Sequence, residues 1–274
     1  MLRRGPGARQ QSRGATSILT YGINQFQIWG TMMQSSAVKF LFAAALLLLA
    51  QGSSRAATLQ VEPVLIDVTA PGAASTVTLR NEGAAPINAQ IRVYRWSQVD
   101  GKENLEPTED VVASPPAVTL APQTNYVARV VRVSKRPVSG EESYRVLIDQ
   151  LPAPSQQRGH SVNLLMRYSI PVFFGASDRR DPAVAWTATI SGNKVKVTAR
   201  NDGDRRIRIA SLNLRDAKGK TVAFGKGLVG YVLGKSTVGW TTPAAGFTAA
   251  GPISVSAQSD TGPVDAVASI SSGR

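Results

Sequence analysis

The 274-residue chain has no cysteine, a single histidine and few aromatics, 6% of its residues. The missing thiols exclude disulfides, zinc–thiolate sites and cysteine nucleophiles together. A hydrolytic triad would have to use His160, which sits in a Pro/Ser/Gln/Gly-rich loop with no evident orienting partner. Metal binding would fall to carboxylates. Glu103, Glu106, Glu109 and Asp110 cluster after a turn, but they lack the alternating oxygen ligands and central glycine of a calcium loop. They read as a solvated acidic loop. Glu141 and Glu142 are adjacent, so on a strand they point to opposite faces and make no acid–base pair. No phosphate-cradling glycine loop is present. No enzyme activity, metal or cofactor is expected.

Acidic residues are missing from the first 56 positions, which hold six of the 31 basic residues. The remainder carries 25 basic against 18 acidic residues. That balance is moderately basic, without the basic runs and interleaved aromatics that would suggest nucleic-acid binding. The apolar run Phe40–Ala50 follows Lys39 and is short for a membrane span. Small residues at Ser54 and Ala56 fit a signal-peptidase site, with cleavage after Ala56. Met32 or Met33 suits a signal peptide better than Met1 as its start. A secreted chain without stable membrane insertion is expected.

From residue 58 onward no segment shows a helical apolar stripe, and strand-like alternation dominates. Ile87 to Trp96, Tyr126 to Val133, Tyr144 to Leu151 and Val162 to Phe174 read as strands. Pro71-Gly72, Glu82-Gly83 and Asp100-Gly101 read as turns. The polar stretch Gly175 to Pro182 interrupts the pattern, and eight shorter strands are expected between Val184 and Ile270. The expected organisation is an all-β chain of two sandwiches. An N-terminal extension and signal peptide occupy 1–56, a first sandwich domain 57–176, a linker 177–182 and a second sandwich 183–274. No internal repeat stands out.

Along Val162–Phe174, the residues Val162, Leu164, Met166 and Tyr168 share one face, and Asn163, Leu165, Arg167 and Ser169 the other. Alternation alone leaves two readings open. The apolar row packs its own core, or it is offered to a partner by strand addition.

Four stretches resemble the periplasmic pilus-assembly chaperones of the chaperone–usher pathway, and most nearly the clade serving archaic, Csu-type pili. They are Arg92-Val93-Tyr94-Arg95-Trp96-Ser97-Gln98-Val99-Asp100-Gly101; Ser114-Pro115-Pro116 with Leu120-Ala121-Pro122; Tyr144-Arg145-Val146-Leu147-Ile148-Asp149-Gln150-Leu151-Pro152; and Met166-Arg167-Tyr168-Ser169-Ile170-Pro171-Val172-Phe173. Gly230-Tyr231-Val232-Leu233 and Trp240 also fit. The resemblance implies two Ig-like domains at an angle, pilin-like subunits and an outer-membrane usher as partners, and a periplasmic location. It makes Val162, Leu164, Met166 and, more weakly, Tyr168 the side chains of a strand lent to an incomplete subunit. An Ig-like pilus component or surface adhesin is the alternative.

The pattern departs from the classical members at three positions. The two cations that anchor a subunit's terminal carboxylate align with Leu65 and Pro171, and the interdomain arginine aligns with Gly175. Arg129 and Arg167 are the candidate substitutes for the anchor, because an arginine fork binds a carboxylate bidentately.

Overall fold

The computed structural model describes residues 59–152 and 164–271. The signal segment, His160 and Val162 lie outside the described residues. All regular structure described is β, and no described helix is long and apolar enough to cross a membrane.

The first sandwich has ten strands: β1 Leu59–Glu62, β2 Ile66–Thr69, β3 Ala74–Asn81, β4 Ile87–Val99, β5 Lys102–Pro107, β6 Val111–Ser114, β7 Ala117–Leu120, β8 Asn125–Arg132, β9 Glu141–Leu151 and β10 Arg167–Gly175. One sheet runs β1-β3-β8-β6. The other runs β2-β10-β9-β4-β5, with β7 on β4. Alternating residues of both sheets meet in one core, with Val77, Leu79, Ala128 and Val130 facing Ile91, Tyr144, Val146, Ile148 and Val172. This is the period-two burial that a two-layer β architecture requires.

Asp100 and Gly101 both have positive φ, 52° and 77°. That is the two-residue turn whose twist suits a hairpin, and it pairs Val99 with Lys102. Glu103 and Glu106 therefore lie on strand β5, not in the acidic loop expected from their composition. Asp110 follows it and accepts hydrogen bonds from Arg95 and Arg136. Glu141 and Glu142 diverge as expected: Glu142 accepts from Arg132 and the Tyr144 hydroxyl, whereas Glu141 faces the second sandwich.

The second sandwich comprises β11 Val184–Ser191, β12 Lys194–Asn201, β13 Ile207–Arg215, β14 Thr221–Ala223, β15 Leu228–Val232, β16 Thr237–Pro243, β17 Ile253–Ser259 and β18 Gly262–Ile270. The ladder runs β14-β13-β17-β18-β11-β12-β16, with β15 on β13. Its two halves join where β18 runs parallel to β11. Between them lies a separate core that includes Trp186, Val197, Ile209, Leu212, Leu214 and Val255.

A third, small cluster ties the sandwiches together. Trp96 on β4 and Phe173 on β10 pack with Tyr231 and Leu233 of the second sandwich. Trp96 meets Tyr231 edge-on, with centroids 5.6 Å apart. The Arg145 guanidinium lies 3.8 Å from the Trp96 ring centre, a contact that desolvation strengthens. Beside it the buried Gln98 amide donates to the Tyr231 carbonyl and accepts from the Leu233 amide.

Candidate functional site

Strand β10 begins at Arg167, five residues later than the sequence pattern suggests, and its faces are unequal. Tyr168, Ile170, Val172 and Phe174 point into the first core. The Tyr168 hydroxyl also donates to the Leu59 carbonyl on β1, closing the gap between the two sheets. Tyr168 is thus used by this chain's own sandwich. By alternation the row extends to Met166, whose carbonyl still accepts from the Gln150 amide, and to Leu164, both just before the strand. Leu164 is 80% exposed and Leu165 39%. A bare leucine of this kind is not informative alone. Its position as the direct extension of a core-facing row is.

The edges of β10 are unequal as well. On one side every residue from Arg167 to Gly175 pairs with β9. On the other, parallel pairing with β2 starts only at Val172↔Ile66. Arg167 to Pro171 have no ladder partner there among the described residues. An unpaired edge is a template for another strand.

Arg167 and Arg129 sit on different sheets. Arg129 is exposed on β8, registered between Thr76 and Ser114 on the four-stranded sheet. Arg167 instead faces Asp149 on β9, and sequence reasoning missed its companion, Arg92 on β4. Both guanidiniums donate to the one carboxylate, Arg92 at 2.6 Å and Arg167 to the other oxygen. Burial would raise the Asp149 carboxyl pKa, but the donors from Arg167 and Arg92 outweigh it and hold it below the usual range. Two cations on one anion leave a net positive charge. With Gln90, Gln150, Leu151, Leu165 and Met166 they line an open depression of about 420 Å³ beside the exposed leucines. Arg92 was legible only as part of a strand. Its proximity to Arg167 depends on β9 lying between β4 and β10.

Leu65 and Pro171 each immediately precede the first registered pair of β2 and β10, Ile66 and Val172. No charge stands at either position.

Residues 58–176 match the family of pili and flagellar-assembly chaperones, PapD N-terminal domain. Among solved structures, the CsuC–CsuE chaperone–tip adhesion subunit pre-assembly complex from archaic Csu pili of Acinetobacter baumannii is similar. Identity is 25% and the TM-score 0.59, covering 80% of this chain and 100% of that one. A Salmonella enterica SafA pilin–SafB chaperone complex matches at 19% identity and TM-score 0.55, over 78% and 98% of the two chains. The E. coli chaperone DraB matches at 20% and 0.52, over 76% and 96%. No curated protein sequence matches.

The fold is that of the two-domain, Ig-like pilus-assembly chaperones. The first sandwich is the part that matches the PapD N-terminal domain model, and the Csu structure agrees with the archaic clade that the sequence resembles.

Proposed function

We propose that this chain is a periplasmic chaperone that captures pilin-like subunits by lending them the segment Val162–Met166, and that it passes them to an outer-membrane usher. The observation that carries the reading is the exposed Leu164, which with the half-buried Met166 prolongs β10's core-facing row by alternation, beside an unpaired backbone edge. Val162, Leu164 and Met166 are the lent side chains. Each large apolar side chain taken up by a guest groove contributes roughly 1.5–3 kcal/mol. The entropy of association offsets part of this sum. Binding supplies the work, so the function requires no catalytic group or cofactor.

A subunit's carboxylate docks on the Arg92–Arg167 pair. The charge excess there favours an anion, and the depression adjoins the lent segment through Leu165 and Met166. Arg129 is the alternative anchor, and it would place the subunit's end on the opposite sheet. The rival role, a structural pilus component, is less well supported. A subunit needs an unfilled groove of its own, whereas each sandwich here has a filled core.

The test is co-purification of pilin subunits with the tagged chain. The double substitution Leu164→Glu and Met166→Glu should leave the fold intact and abolish capture. Undiminished capture by a folded double variant overturns the reading. Loss of capture in Arg167→Ala or Arg92→Ala, but not in Arg129→Ala, identifies the anchor. The reverse pattern moves it to Arg129.

A further inference from the structure

Gly175 ends β10 with no side chain, yet the space above it is filled. A Cβ there would lie 2.5 Å from Nη1 of Arg179. The Arg179 guanidinium reaches Glu141 at 3.5 Å and Asp67 at 3.8 Å. Its Nη1 donates to the Ala176 carbonyl at 2.9 Å. A second guanidinium, Arg206 immediately before β13 of the second sandwich, reaches the same two carboxylates more closely. Its Nη2 donates to Asp67 and its Nη1 to Glu141, both at 2.7 Å, while its backbone amide donates to the other Glu141 oxygen at 2.9 Å. The side chains of Arg206 and Glu141 are 2% and 1% exposed.

The placement of the two acids matters more than the pairing. Asp67 is on β2 and registers with Phe173. Glu141 is on β9 and registers with Gly175. β10 lies between these strands. Arg206 therefore spans β10 from one neighbour to the other, and its guanidinium lies 3.8 Å from the centre of the Phe173 ring. Strand β2 has only four registered residues on β10, so its own ladder is a weak tether.

We infer that Arg206 is a positioning residue for β10, the strand that carries the lent segment: a clamp from the second sandwich that holds β2 and β9 on either side of it. This rests on the proposed lending of Val162–Met166, which β10 anchors, and assigns to the second sandwich a part in holding it. The chemistry suits arginine, whose planar fork reaches two carboxylates and stacks on a ring at once, whereas a lysine ammonium acts as a single point. Two guanidiniums on two carboxylates leave the group neutral, so the buried Glu141 is compensated.

Arg206→Met alone would strand Glu141, so the test uses Arg206→Met with Glu141→Gln, and Arg206→Lys separately, read by amide hydrogen exchange on the whole chain. In the double variant the β2 amides and the Phe173–Gly175 amides should exchange at least about tenfold faster, while the centre of β9 keeps its protection. Arg206→Lys should keep thermal stability close to that of the unmodified chain yet still show faster β2 exchange. Unchanged β2 protection in the double variant, or full protection in Arg206→Lys, overturns the clamp. No subunit takes part in this measurement, so its outcome is independent of the capture assay with Leu164→Glu and Met166→Glu.

Discussion

Asn81 and Asn201 close the same loop in two different sandwiches. Each is fully buried at the end of a strand. The Asn81 oxygen accepts from the Gly83 amide, and the Asn201 oxygen from Gly203. The Asn81 amide donates to Ala85, Leu120 and Ala121 carbonyls, and the Asn201 amide to Arg205, Val232 and Leu233. Even the flanking ion pairs correspond, Arg80 with Glu82 and Arg200 with Asp202.

Truncating either asparagine should therefore be costly in its own sandwich. Asn81→Ala and Asn201→Ala each leave a buried amide and carbonyls without partners, at about 1–3 kcal/mol per group. Urea unfolding should show each variant destabilised by at least about 2 kcal/mol. Replacement by aspartate retains the acceptor but loses the donors, so it should not rescue. A loss below half a kilocalorie in either variant would show that water satisfies the loop instead.

The repeat behind this symmetry was present in the sequence as Arg-Asn-Glu-Gly with Ile87 and Arg-Asn-Asp-Gly with Ile207. Four short polar letters carry little weight until the loop they close is seen. The strands were legible because apolar alternation reports burial directly, as in Lys194–Asn201, where Val195, Val197 and Ala199 are buried in turn. Strand β5 was not legible, because Glu103 and Glu106 face solvent and leave no apolar trace. The joint between sandwiches was hidden for a different reason. Gln98, Arg145 and Arg206 find their partners across long stretches of chain, where no local period points.

Tyr168 and Leu164 share a face of one segment but should respond oppositely. Tyr168→Phe removes the hydroxyl that reaches the Leu59 carbonyl. It should cost about 1 kcal/mol of stability and leave subunit capture unchanged. Leu164→Glu should leave the melting temperature within a degree or so, because the side chain is solvated, and should impair capture. Equal effects of both variants on capture would move the lent segment into the strand itself.

Stability should fall at both ends of the pH scale. At the acid end, Asp149, Glu142 and Asp110 have carboxyl pKa values below the usual range. For Asp149 and Glu142 burial opposes the shift, but their arginine partners and, for Glu142, the Tyr144 hydroxyl prevail. For Asp110 the Arg95 donor leads. A depressed folded pKa adds stability that is fully present above the unfolded value near 4 and is lost as pH falls through the folded one. At the alkaline end, burial and then the Glu142 carboxylate push the Tyr144 phenol well above its usual value. That contribution is complete below about pH 10 and is lost as pH rises further. Denaturant titrations across pH should show both declines, and Tyr144→Phe should remove the alkaline one. An alkaline decline that persists in Tyr144→Phe would assign it to other groups.

Gly175→Ala puts the smallest possible side chain into the space that Arg179 occupies. The backbone at this position needs no positive φ, so the conflict is purely steric. The obstructing atoms belong to a guanidinium, the mobile end of its side chain, yet that group is only 12% exposed and is held by the Ala176 carbonyl. Displacing it weakens its contacts with Glu141 and Asp67 but leaves Arg206 in place. The expected cost is about 1–3 kcal/mol, typical of overpacking a filled site. At Gly203 an added Cβ would lie 2.1 Å from the Asp181 carbonyl oxygen, a backbone atom with no such freedom. Gly203→Ala should therefore be the more damaging of the two by thermal unfolding. The opposite order would mean that the linker at Asp181 yields more readily than the paired guanidinium does.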